Sequence, residues 1–121
     1  MQPEARDAAY LWDMLEAARE VLDFVNGMDL EQFSADRRTR LAVERQLLVV
    51  GEAAAHLSER FTGSHPEIPW RSIVGLRNVI AHEYGEILVD RLWRLVRDEL
   101  PALVAWLQGH QVEAPGDSPE V

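Results

Sequence analysis

The sequence predicts an all-α fold, in the form of an antiparallel bundle of four to five helices. Three observations indicate this fold class. Apolar residues recur at steps of three and four along most of the chain, no segment alternates convincingly at the period of two that a half-buried strand shows, and glycine or proline separates the periodic segments. The chain has 121 residues, which is the length of one domain.

The first helix is predicted from one apolar stripe that runs from Leu11 to Val25. Gly27 stands where a C-cap glycine would end this helix. The next segment, Asp29–Phe33, has the composition of a short turn, with Asp29 as a candidate N-cap. We therefore expect a long amphipathic helix followed by a tight reversal of the chain.

A second long helix is predicted after Ser34, with a helical stripe that extends to Ser58. Its apolar arc around Leu47 and Val50 is wide, so this helix should be central and buried on more than one side. Gly51 and the alanines that follow it are small, and small residues let a neighbouring helix approach closely.

The second half of the chain predicts a loop and two further helices. The run Thr-Gly-Ser-His-Pro at 62–66 has loop composition. A helix follows from about Trp70 to Ala81, with Pro69 near its first turn, where proline is favoured. The last helix covers roughly Leu88 to Leu107, and Pro101 should kink or divide it because proline has no amide donor.

We place one helical domain at residues 1–108 and expect residues 109–121, with two prolines and three acids, to form a disordered acidic tail. Apolar residues outside the bundle stripe are numerous for a chain of this size, and they would be covered in a homodimer or, alternatively, fill the core of one chain. These residues are Val49, Val50, Ile73, Val74, Val79 and Ile80.

The composition excludes several classes of function. There is no cysteine, which excludes a disulfide framework, a thiolate metal site and a cysteine nucleophile. No segment has the ~18 consecutive apolar residues of a membrane span, and the N-terminus has no basic and apolar leader, so we expect a cytoplasmic protein without a membrane partner. The formal net charge is −9, yet residues 37–97 hold ten arginines and seven acids, so an anion would bind in this middle segment.

A metal site is not indicated. His82 and Glu83 begin a zinc-protease pattern, but the position that requires a second histidine holds Glu86. Glu52 and His56 lie one helical turn apart and could chelate a cation, although a solvated or partner-facing pair is the simpler interpretation of two ligands. We therefore expect no metal and no cofactor.

Four functional side chains fall within eight positions: Arg77, Asn78, His82 and Tyr84. Asn78 and His82 share a helix face. Arg77 and His82 are five residues apart, about 140° around an ideal helix, and would not converge from a straight helix. Either the helix ends before His82 or a site uses both chains of a dimer.

An arginine and a histidine together suit metal-free cleavage of RNA. The guanidinium fits phosphate oxygens, and an imidazole can move the proton of the 2′-hydroxyl or of the leaving 5′-oxygen. This route leaves a 2′,3′-cyclic phosphate, and DNA lacks the nucleophile that it needs. The alternative is structural, because one arginine and one histidine near a helix end also serve as a cap and a salt bridge.

The segment 77–84, Arg-Asn-Val-Ile-Ala-His-Glu-Tyr, resembles the R-x4-H-x-Y motif of HepT-like toxins, a branch of the HEPN superfamily. The resemblance covers about residues 5–107. Its flanking features are Trp70, Gly75, the run Gly51-Glu52-Ala53 and the pair Leu100-Pro101. One departure is Gly85, where family members often carry an aromatic residue.

The resemblance implies an all-α homodimer whose Arg-His pairs line one cleft. It implies a metal-independent endoribonuclease that is the toxin of a type VII-like toxin–antitoxin pair, with Arg77 and His82 as catalytic residues and Asn78 helping to shape the site. The formal net charge of −9 favours a small RNA target such as a tRNA.

The resemblance also implies an antitoxin, a minimal nucleotidyltransferase that transfers AMP onto the motif tyrosine, here Tyr84. AMP on Tyr84 would place bulk and a negative phosphate two residues from His82. A second hypothesis is a catalytically weak helical dimer that binds and regulates a nucleotidyltransferase, and the net charge of −9 motivates it.

Overall fold

The computed structural model describes residues 4–110 and residue 112, and these residues contain α-helices, one π-helical segment and no β-strand. The all-α fold class is therefore confirmed. The elements are α1 (Ala5–Phe24), α2 (Leu30–Ala35), α3 (Arg37–Ala55), α4 (Glu59–Ser64), α5 (Trp70–Val74), α6 (Leu76–His82), α7 (Gly85–Arg94), the π-helical segment (Leu95–Glu99) and α8 (Leu100–Gly109).

The two long helices α1 and α3 form the antiparallel centre of the fold. The carboxylate of Asp7, near the start of α1, accepts from the Ser58 amide at 2.8 Å and from its hydroxyl at 2.6 Å, just beyond the end of α3. Toward the other end, Gln46 donates to Glu20. Helix α8 packs on α1, and α5 and α6 pack on α3. The core between them includes Leu11, Met14, Leu15, Val21, Phe33, Val43, Leu47, Val50, Leu92, Val96 and Leu107.

Two segments that were expected to be irregular are short helices. The turn predicted at Asp29–Phe33 is wrong, but the N-cap predicted at Asp29 is confirmed, because Asp29 and Gln32 form a capping box that starts α2. The loop predicted at 62–66 is wrong for residues 62–64, which belong to α4, and correct for His65 and Pro66; the Ser58 hydroxyl accepts from the Phe61 amide at 3.1 Å and caps α4. A side-chain cap in each case outweighs the turn-like composition.

The helix predicted from Trp70 to Ala81 is two helices, which meet at Gly75. Glycine is a weak helix former. The close approach predicted at Gly51 is confirmed, since a Cβ there would lie 3.0 Å from the Ile73 carbonyl oxygen. The small residue on α3 thus lets α5 pack directly against the backbone of α3.

The last helix begins at Gly85 rather than Leu88, and its predicted division at Pro101 is confirmed. Proline lacks the amide hydrogen of the normal helical bond, and a π-helical segment, Leu95–Glu99, precedes it. Among the described residues, no helix has both the length and the apolar character needed to cross a membrane.

Of the apolar residues expected at a dimer surface, Val50 and Ile73 are buried within the chain and therefore belong to its own core. The exposed large apolar side chains include Val74 and Ile87, the latter 71% exposed. The predicted tail lies mostly outside the described residues. Within the described part, Gly109 ends α8.

Candidate active site

The four motif side chains lie at the surface around α6. Arg77, Asn78 and His82 are exposed residues of this helix, and Tyr84 is the N-cap residue of α7 with 82% of its surface exposed. Leu76 is buried and anchors the start of α6 against the core. The scaffold therefore presents the motif to solvent.

The structure does not bring Arg77 and His82 together within one chain. Helix α6 continues through His82, so the alternative in which the helix ends before this residue is wrong. The two side chains are about 140° apart around the helix axis. The guanidinium of Arg77 instead lies 3.5 Å from the carboxylate of Glu52, and both side chains are more than half exposed, which makes this ion pair weak.

The backbone between His82 and Tyr84 is held by an ion pair. Glu83 caps α6 in an extended conformation, and its Oε2 accepts from Nη1 of Arg91 at 2.7 Å. The other oxygen, Oε1, is buried with no hydrogen-bond partner in the described structure. Gly85 then adopts a φ of +68°, which starts α7 in a new direction. This reversal places Tyr84 at an exposed corner.

A groove of about 720 Å³ lies beside Tyr84 and joins this corner to the start of α3. Arg37 and Arg40 line it on the α3 side, and Glu44 and Glu86 bring negative charge. Sequence reasoning missed these two arginines, because they lie about 40 residues before the motif and only the fold brings them near. The excess of arginines over acids in residues 37–97 was the sequence feature that pointed to this region.

The Glu52 carboxylate and the His56 ring have different partners in the structure. Nδ1 of His56 lies 2.8 Å from the backbone carbonyl of Glu52, and the ring stacks on Tyr10 with 4.9 Å between the centroids. The Glu52 carboxylate faces Arg77. The simpler interpretation of this pair therefore fits the geometry better.

A second polar cluster was not found from the sequence. One potential ligand atom from each of His65, Glu67 and His110 lies within 4.8 Å of the others. His110 comes from the far end of the chain, so the linear spacing gave no signal. This cluster does not line the groove beside Tyr84.

Comparison with known proteins assigns the family. The family model described as "Ribonuclease HepT-like" matches residues 14–108. The chain belongs to the HepT-like ribonuclease family. The resemblance found in the motif at 77–84 is thereby confirmed at the level of the family.

Two archaeal relatives support the same class of activity. The chain is 36% identical over 95 residues to a candidate RNase of Methanocaldococcus jannaschii, a match that covers 78% of this chain and 87% of the relative. It is also 36% identical over 94 residues to the "Probable ribonuclease HepT" of Thermococcus cleftensis, covering 78% of this chain and 86% of the relative. No solved structure matches the chain significantly. The family and these names support a ribonuclease.

Proposed function

We propose that this HepT-like protein is a metal-independent endoribonuclease that works as a homodimer. One observation carries the proposal: Arg77 and His82 are exposed on different sides of a helix that is continuous through both. A two-fold axis near α6 would bring the arginine of one chain toward the histidine of the other. In that arrangement the two chains share one phosphate-sized cleft.

The surface around the motif supports pairing. Val74 is exposed and Ile87 is 71% exposed, while Val79 and Ile80 are only partly covered by the core. Val74 and Ile87 flank the motif in sequence, and Val79 and Ile80 lie within it. Exposed apolar side chains grouped near a functional site are typical of an interface.

The chemistry follows from the two side chains. His82 takes the proton from a ribose 2′-hydroxyl, the 2′-oxygen forms a bond to phosphorus, and the bond from phosphorus to the 5′-oxygen breaks. The leaving oxygen gains a proton from water, so one Arg77–His82 pair is sufficient for a turnover. Arg77 stabilises the additional negative charge on the phosphoryl oxygens. Asn78, one turn from His82, shapes the site. The products are a 2′,3′-cyclic phosphate and a 5′-hydroxyl.

The biological role that fits this activity is that of a cytoplasmic toxin neutralised by a minimal nucleotidyltransferase. In this proposal the Tyr84 oxygen attacks the α-phosphorus of ATP, AMP becomes attached to it, and pyrophosphate leaves. The exposure of Tyr84 supports access by a second protein. Arg37 and Arg40 line the neighbouring groove and could pair with the added phosphate.

The experiment uses antitoxin-free protein with total tRNA in EDTA. Arg77→Ala and His82→Ala should each cut at least 100-fold more slowly, which is the low end of general acid–base catalysis. His56→Ala removes another exposed histidine and should retain activity. Far-UV circular dichroism confirms that each variant is folded in EDTA. Wild-type cleavage no faster than that of His82→Ala would exclude catalysis by this site.

A second function, binding and regulation of a nucleotidyltransferase with little catalysis, is favoured by the net charge of −9. Expression with and without the neighbouring gene separates the two functions. A growth defect that the neighbour relieves supports the toxin, whereas harmless expression alone supports the regulator. Mass measurement of the peptide with Tyr84, with Tyr84→Phe as control, tests the modification.

A further inference from the structure

We propose that His65, Glu67 and His110 bind a divalent transition-metal ion, for which Zn²⁺ has the best match of ligand chemistry. Two imidazoles and one carboxylate form a common zinc donor set, which a water molecule completes to four ligands. The site is separate from the motif at 77–84, and the proposal does not depend on ribonuclease activity.

The distances are compatible with coordination. One ligand atom from each of the three residues lies within 4.8 Å of the others, and Nδ1 of His65 lies 3.5 Å from Oε2 of Glu67. In a tetrahedral zinc site with bonds of about 2.0–2.1 Å, neighbouring ligand atoms are about 3.3 Å apart. The His65–Glu67 pair is close to this separation already, and side-chain rotations close the remaining distance to His110.

The His110 ring is oriented as metal-ligating histidines usually are. Nδ1 of His110 lies 2.8 Å from the backbone carbonyl of Trp106, so this nitrogen donates and leaves Nε2 with a free lone pair. The His65 side chain is only 15% exposed, and its Nε2 is buried with no hydrogen-bond partner in the described structure. A buried imidazole nitrogen without a hydrogen-bond partner is unusual in a folded protein.

A hydrogen bond holds the Glu67 carboxylate in position. The Trp106 indole donates to Oε2 at 3.0 Å and fixes the direction of the carboxylate. Such outer partners orient the ligands of a metal site.

The surroundings of the cluster are aromatic. The ring centroids of Trp106 and His110 are 3.8 Å apart, and those of Phe61 and His65 are 4.6 Å apart. The Trp70 indole donates to the His65 carbonyl at 2.9 Å and fixes the backbone of this ligand. These rings limit the movement of the imidazoles and exclude water from one side of the cluster.

A bound ion would join distant parts of the chain. His65 and Glu67 belong to the connection between α4 and α5, whereas His110 caps α8. The ion would act as a cross-link that opposes unfolding, because the folded chain binds it and the unfolded chain does so much less tightly. We therefore assign it a structural role.

The test uses tag-free protein, stripped with EDTA and dialysed, and titrated with Zn²⁺ against a chromogenic chelator. We expect one ion per chain and a rise in the thermal midpoint on addition of Zn²⁺. His110→Gln and Glu67→Gln should each weaken binding at least about tenfold. Neither change removes a core side chain, and thermal midpoints without metal check that the variants fold.

His56→Gln is the matched control, because His56 also ends a helix, bonds a carbonyl four residues earlier through Nδ1 and stacks on an aromatic ring. It should bind Zn²⁺ as the wild type does. Co²⁺ should give the intense visible bands of a tetrahedral site in the wild type and lose them in His110→Gln. Lack of saturable one-to-one binding, or equal binding by wild type and His110→Gln, would overturn the proposal.

Discussion

Glu83 shows how a side chain at an unspecified position of the R-x4-H-x-Y motif can help to position the motif. It lies between His82 and Tyr84, is paired with Arg91 at 2.7 Å, and has one oxygen buried without a partner. Neither the spacing nor the composition of the motif indicated this role. We infer that the ion pair keeps the end of α6 and the start of α7 in a fixed relation.

Replacing Arg91 tests that inference. Arg91→Gln leaves the partly buried Glu83 carboxylate without its cation and should lower the free energy of unfolding by about 1 kcal/mol. RNA cleavage should fall further than this loss of stability explains, because the segment that carries His82 becomes less ordered. Urea unfolding and kcat/KM are measured together, with Arg94→Gln as control. Equal activity of the two variants contradicts a positioning role.

Gly85 is the other residue that controls this corner. Its φ of +68° lies in the left-handed region, which costs other residues about 1–2 kcal/mol. Gly85→Ala should therefore destabilise the protein by roughly that amount, even though no atom lies within 4 Å of the added Cβ. Gly63→Ala, within α4 and also in open space, should be neutral or stabilising because alanine favours a helix. The urea midpoint should thus fall for Gly85→Ala and stay unchanged or rise for Gly63→Ala.

At the scale of elements, apolar stripes determine the long helices, and side-chain caps determine the short ones. The stripes in α1 and α3 predicted both long helices, because many buried side chains repeat at the helical period. Helices α2 and α4 have six residues each, too few for a period to be recognised. Asp29 was predicted as an N-cap, whereas Ser58, which caps α4, was assigned to the stripe of the second long helix. A side chain that caps the first turn therefore determines where a short helix forms.

The cap of α3 makes a pH-dependent contribution to stability. The pKa of Asp36 is lowered, mainly by the Thr39 amide, which donates to its carboxylate at 3.0 Å, and next by the Thr39 hydroxyl. Because the folded-state pKa lies below the unfolded-state value, this contribution is complete above the unfolded-state value. It is lost as the pH falls through the folded-state value.

Asp36→Asn retains a good cap and removes the titration. The urea midpoint of this variant should fall less steeply than that of the wild type as the pH is lowered through the acid range. Asp36→Ala should be less stable than Asp36→Asn at neutral pH. The measurement is a set of urea unfolding curves at several pH values. If the urea midpoints of wild type and Asp36→Asn fall equally steeply as the pH is lowered, this carboxylate contributes nothing to the pH dependence of stability.

For the whole molecule, the sequence predicted the motif but not its surroundings. Arg77, Asn78, His82 and Tyr84 are close in sequence, so their spacing was sufficient to identify them. The groove with Arg37 and Arg40 depends on tertiary contacts between distant segments, as does the cluster of His65, Glu67 and His110, so no local pattern revealed either. The position of α6 relative to a second chain likewise depends on contacts that no local sequence pattern reveals.

The central claim is that Arg77 of one chain acts with His82 of its partner, and mixed dimers test it most directly. Chains with Arg77→Ala and chains with His82→Ala are given different tags, co-refolded, and purified as heterodimers. Each parent homodimer should be inactive. The heterodimer has one intact composite site and should recover about half of the activity of a wild-type dimer that carries the same tags. A heterodimer as inactive as its parents, while the tagged wild type cleaves RNA, would contradict the account.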